Sequence, residues 1–437
     1  MKTVLRSTIV CVCLIQNAVA QLDYEQEPIN YSTSQATDPV ARLLERLDSG
    51  ETRLNWDDDH GYLKSVLKEL QVPVSSQVLV FSKTSLQVSR ITPRTPRAIY
   101  FNDDVYVGWV QRGGVVELSA ADARLGGTFY TLEQTPGDRP RIERETAHCL
   151  QCHGSTHTRR TPGHMVRSVY SDAGGLPVYR LGTFLNDDTS PFENRWGGWY
   201  VTGTHGSMSH MGNVVMDQDG EVEDFDRESG ANITRLSDLV NTKPYLSDHS
   251  DIVALMVLQH QTTFHNVLTA ANHSGLITAR DAIIMNKALG RPEDHESEST
   301  ERRYSSAAEK VLKGLLFSNE WPLQDTVKGT TSFVEDFESR GPFDSQNRSL
   351  RQFDLKTRLF RYPCSFLIYS DGFTNLPPGV RNRIWSRLDE ILDSRDVSPA
   401  FSHLSPEDRQ AIREILIDTC PEFRSRQPGL NTENLTP

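Results

Sequence analysis

The stretch RAIYFNDDVYVGWVQRGGVVELS (97–119) decides how the first half of the chain folds. It holds three runs, RAIYF, VYVGWV and VVELS, rich in β-branched and aromatic residues. Between them lie Asn102-Asp103-Asp104 and Arg112-Gly113-Gly114, which are turn residues. Connections this short join antiparallel neighbours, because a parallel crossover needs a dozen residues or more. QVLVF (77–81) precedes these runs and GGTFYTL (126–132) follows, so the region predicts an antiparallel meander. Upstream, helices are expected near 39–48 and 60–70. In the second, Leu63, Val66, Leu67 and Leu70 fall at helical spacing.

Downstream of the meander, helical periodicity takes over. Helices are predicted over 250–272, 276–290, 304–317 and 380–392, with another opening at Ser405-Pro406-Glu407-Asp408. The fold class is therefore α+β: an N-terminal antiparallel β meander, a loop-rich middle and a largely helical C-terminal half. The expected divisions are a signal peptide over 1–20, a mobile leader over 21–38, an α+β region over 39–148, a core over 149–246 and a helical region over 247–420. A polar linker is expected over 291–303 and a tail over 421–437.

The 437 residues carry 46 Lys and Arg against 58 Asp and Glu, a formal charge of −12. That balance speaks against a nucleic-acid partner, which would require clustered basic residues. The opening MKTVLRSTIVCVCLIQNAVA has two early cations, an apolar run too short to span a bilayer, and a small-residue site at Ala18-Val19-Ala20. It reads as a secretory signal cleaved before Gln21, which sends a mature chain without a membrane span to the periplasm or the exterior. Cys11 and Cys13 leave with it. Cys149, Cys152, Cys364 and Cys420 remain.

Two of these four lie in AHCLQCHGSTH (147–157). In Cys149-Leu150-Gln151-Cys152-His153, two thiols three apart can form thioethers to the two vinyl groups of haem, and the next residue can supply an axial nitrogen to the iron. Two other chemistries use paired cysteines. Zinc could be held by Cys149 and Cys152 with two of His157, His164, His205 and His210, but zinc gives no reason for His153 to follow Cys152 directly. A redox-active dithiol needs a strand leading into a helix, and no such context precedes Cys149.

On these residues the chain resembles the c-type cytochromes. A wider resemblance, across roughly residues 75 to 420, is to large secreted single-haem proteins of planctomycetes and related bacteria. AIYFNDDVYVGWV, CLQCHG, PGHMVRSVY, RWGGWYVTGTHG, HMGN, DIVALMV and RYPCSFLIYS carry it. The resemblance implies one covalent haem c held by Cys149 and Cys152, with His153 as proximal ligand, and secretion. It supplies no reaction.

The sixth iron position decides what such a haem does. THGSMSHMGN (204–213) crowds potential ligands together, and His210 or Met211 is the expected distal ligand, ahead of His205, Met256 and His260. His164 and Met165 stand close to the attachment site in sequence, too close to reach around the ring. The expected function is single-electron transfer with a redox partner protein. The alternatives are a haem enzyme of peroxidase or oxidase type with an open distal site, or a redox or gas sensor. Whether the chain is an enzyme stays open at this point. Cys364 and Cys420 are the candidate disulfide of an oxidising compartment.

Overall fold

The computed structural model describes residues 23–427 except 138 and 397, so the expected signal peptide and residues 428–437 lie outside the described residues. The strands are β1 (Val78–Val80), β2 (Arg97–Phe101), β3 (Val105–Trp109), β4 (Val115–Asp122), β5 (Gly126–Glu133), β6 (Ile142–Arg144), β7 (Arg167–Val169), β8 (Thr183–Leu185) and β9 (Trp199–Tyr200). The helices are α1 (Pro39–Asp48), α2 (Leu63–Glu69), α3 (Leu150–His153), α4 (Ile252–Ala288), α5 (Glu298–Leu315), α6 (Phe333–Glu338), α7 (Asp371–Thr374), α8 (Pro378–Leu392), α9 (Pro406–Thr419) and α10 (Pro421–Ser425).

The expected meander forms. Strands β1 to β6 pair antiparallel in chain order, within a seven-stranded sheet ordered β6-β5-β4-β3-β2-β1-β9. The added edge strand β9 comes from the RWGGWY run and pairs with β1 through Leu79 opposite Tyr200. The region expected as a haem core thus contributes a strand to the N-terminal sheet. Alternation sends Ala98, Tyr100, Val107, Trp109, Leu118 and Leu132 to one face, where they pack with Val40 and Leu43 of α1 and Leu63 and Val66 of α2.

The other face meets α4. Here the structure departs from the two expected helices: α4 is continuous over 37 residues. Asp251 starts it by accepting from the N–H groups of Val253 and Ala254. Gly275 does not break it. A Cβ there would press on Pro377 and Val380, so this glycine lets α8 approach closely. The helix is buried along most of its length, and Gln259, His260, Gln261, His265 and Asn266 are among its buried polar residues.

Three other expectations need correction. The leader is not mobile over its described part: Tyr24, Ile29 and Tyr31 are fully buried and pack with Leu125, Phe129 and Leu150. Its apolar residues follow no regular period, which is why it reads as unstructured. Helix α5 begins inside the expected linker, at Glu298, capped by Ser297 accepting from Thr300 N–H. Acids there favour a helix N-terminus rather than a solvated coil. The tail is helical over Pro421–Ser425, with Phe423 buried against Trp385.

Candidate haem-attachment site

Register builds one wall of the site. Tyr106 on β3 faces Ser119 on β4, and Ser119 faces Phe129 on β5. The three side chains form a row across the sheet, on the face opposite α1 and α2. His164 lies on this row. Its ring centroid is 4.4 Å from Tyr106 and 5.6 Å from Phe129, and Nε2 is 2.6 Å from Ser119 Oγ. The Ser119 hydroxyl donates to the Thr128 carbonyl, so it receives the proton on His164 Nε2. The His164 lone pair is therefore on Nδ1, which is buried without a partner.

His153 rests on the other side of Phe129, centroid to centroid 4.8 Å. It closes α3, a single turn that begins with Cys149 as its cap. That turn puts Cys149 and Cys152 three residues apart on one side, with His153 one turn from Cys149. The loop after it is tied down tightly. Gly163 N–H donates to the His153 carbonyl at 2.8 Å, and the Thr158 hydroxyl reaches the same oxygen at 3.0 Å. From α4, the Asn266 side chain receives His164 N–H at 2.9 Å and donates to the His164 carbonyl at 2.6 Å.

The orientation of His153 follows from one bond. Nδ1 is 2.8 Å from the Gly163 carbonyl, which can only accept, so Nδ1 carries the proton. The lone pair is then on Nε2, for which no hydrogen bond exists among the described residues. Burial also holds the imidazole below its ordinary pKa, so it stays neutral. An imidazole that donates one N–H to a backbone carbonyl and presents the other nitrogen bare is arranged as a metal ligand.

The thiols are free. Cys149 is partly buried beside Leu150 and Tyr31, whereas Cys152 is exposed. Burial, then Glu145 and Glu117, push the Cys149 thiol up to about 11. A redox-active dithiol needs the opposite, a stabilised thiolate. The two cysteines do not gather with histidines as zinc would require. Among the described residues one cluster has three convergent ligand atoms, Asp57, Asp59 and His60, and Lys64 already pairs with Asp57 at 2.9 Å. The residues at 149–153 thus show neither the stabilised thiolate of a redox pair nor the gathered ligand set of a zinc site.

The expected distal ligands are engaged with partners other than His153. Among the described residues, none of His205, His210, Met211, Met256 or His260 shares a hydrogen bond or ring contact with it. His205 and His210 lie 4.8 Å apart in a pocket with Phe192 and Trp196. Gly212 N–H donates to His210 Nδ1 at 3.0 Å, and Asn232 N–H donates to His205 Nε2 at 3.1 Å. Met211 is fully buried in a separate cluster with Tyr170, Val214 and Phe225. His260 spends both nitrogens, on Asp188 at 2.7 Å and on Ser365 at 2.8 Å, and Met256 is core on the same helix.

Compared with protein-family models, curated proteins and solved structures, the chain matches none. Among the described residues no helix is long and apolar enough to cross a membrane. Cys364 and Cys420, the expected disulfide pair, lie near each other. Both are free, buried thiols within one apolar cluster, where each packs as a small hydrophobe. Residues that sequence reasoning missed include Tyr106, Ser119, Phe129, His265 and Asn266. Strand alternation puts the first three on one face, but the face that meets Cys149 is set by the tertiary fold.

Proposed function

We propose that the chain is a monohaem c-type cytochrome, with haem c joined to Cys149 and Cys152 and bound through His153, acting in single-electron transfer outside the cytoplasm. The bond from His153 Nδ1 to the Gly163 carbonyl carries this reading, because it bares Nε2 on the residue that follows Cys152 and lies one helical turn after Cys149, both unbonded thiols. When bound, the haem supplies one-electron chemistry. The chain's part is to keep the His153 ring neutral by burial and fixed through Gly163 and the Asn266 clamp, and to keep water from one side of it with Phe129.

His164 backs His153 rather than opposing it across a macrocycle. Their ring centroids are 6.5 Å apart, but Phe129 presses on both and fills the space a porphyrin would need between them. A second reading, a haem enzyme or sensor with an open sixth position, is favoured by the hydrogen bonds and packing that already engage His205, His210, Met211, Met256 and His260.

Intact mass spectrometry of protein matured in a host that attaches haem tests the attachment. The expected result is one added porphyrin, and an unmodified chain would end the proposal. The absorption spectrum then separates the two readings. A low-spin ferric haem that ignores carbon monoxide after reduction marks the electron carrier. A high-spin haem that binds added ligands marks the enzyme or sensor.

A further inference from the structure

Between α4 and α5 lies a groove of about 280 Å³, next to the loop that follows the haem-attachment motif. Four cations line it: Arg159 from that loop, and Arg302, Arg303 and Lys310 from α5. The hydroxyl residues Ser274, Ser299 and Ser306 stand among them, over a floor of Val267, Ala270, Ala271 and Ala307. In a chain of formal charge −12, four positive charges around one concavity run against the average surface. Only Arg303 has an acidic partner among the described residues, Asp281 at 2.9 Å. Glu309, on the same helix, is turned to Arg387. Three cations therefore face the groove unneutralised.

The loop is also shaped to deliver one of them. Arg159 and Arg160 both adopt left-handed backbone, at φ 60°, which non-glycine residues rarely do. Ser155 holds that turn by accepting Arg160 N–H at 2.8 Å. A glycine at 159 would relax the backbone, but it would remove the guanidinium from the groove.

We propose that this groove binds a small molecule carrying two or more negative charges on carboxylate or phosphate oxygens, with a short apolar body against the alanine floor. Arginine forks and serine hydroxyls are the donors such oxygens take. The same oxyanion chemistry has two sources, a free anion or, resting on the haem attachment proposed above, the carboxylates of the protein's own haem, and one set of measurements separates them. Pyrophosphate and citrate are titrated calorimetrically into the haem-loaded protein, into Arg302→Ala/Lys310→Ala and into Lys356→Ala, which removes an exposed cation outside the groove. For a free anion, binding is expected in the wild type and in Lys356→Ala, weakened about tenfold or more in the double variant and further by salt. If haem carboxylates fill the groove, neither probe binds, and the double variant lowers the haem midpoint potential because lost positive charge favours the ferric state. The proposal is overturned by binding that the double variant leaves unchanged, by an equal loss in Lys356→Ala, or by absence of binding together with an unchanged potential.

Discussion

Two pairs of neighbouring histidines, His153 with His164 and His205 with His210, are surrounded by donors and acceptors that run in opposite senses. Beside the attachment motif, His153 gives its proton to the Gly163 carbonyl and His164 gives its proton to Ser119. Their lone pairs are left bare. In the other group, backbone N–H groups of Asn232 and Gly212 consume the lone pairs of His205 and His210. Their protons are left over, and His205 Nδ1 is buried with no acceptor. A bare lone pair can bind a metal, whereas a nitrogen that accepts an N–H cannot do so at the same time. The THGSMSHMGN segment has the residue types of a ligand loop, but its imidazoles are wired as structure.

The sharpest way to break this contrast is to remove each half in turn. Cys149→Ala/Cys152→Ala is expected to abolish covalent porphyrin entirely, read by intact mass. Next in size, His153→Ala should change the haem spectrum and coordination. His210→Ala and Met211→Leu should leave both unchanged. His210→Ala is expected instead to cost about 2–3 kcal/mol of stability through the cavity it opens. A spectral change in His210→Ala as large as that in His153→Ala would reverse the distinction.

A smaller effect is expected from acid. Burial, first among the causes, lowers His210 to about 3 and His265 and His273 to about 4. Unfolded histidine takes up a proton near pH 6.5, so below that value the unfolded chain binds more protons than the folded one. Stability from these three groups is full above pH 6.5 and falls as pH drops toward 4, by on the order of 2 kcal/mol each at pH 5. Urea titrations at pH 7.5 and 5 measure it. Stability rising toward acid would contradict neutral burial of these three histidines.

Gly163→Ala sharpens the first half. Its Cβ would land on the Asn266 side-chain oxygen and push the clamp off His164, an expected loss of about 2 kcal/mol in denaturant titration. The smallest effect belongs to Ser119→Ala. It strips the acceptor from His164 Nε2 and should cost about 1–2 kcal/mol, with porphyrin attachment unchanged.

What could be read without coordinates was what local spacing carries. Strands β1 to β5 announce themselves by alternation and turn residues, and the Cys149–His153 segment by three positions within five. The break expected between 272 and 276 does not occur, because the reason for Gly275, the closeness of Pro377 and Val380, lies on another part of the chain. Tyr24, Ile29 and Tyr31 carry no period, so their burial could not be foreseen. The row Tyr106–Ser119–Phe129 depends on register across three strands. The proton positions on His153 and His210 depend on single backbone groups, Gly163 O and Gly212 N, and residue identity does not encode them.

The Asn266 clamp ties the attachment loop to the buried spine of α4, with one amide side chain bonded to both backbone groups of His164. A loop fastened in this way has no cheap local opening of its own. The His164 amide hydrogen should exchange with deuterated solvent at the pace of the central helix, on the timescale of whole-molecule unfolding.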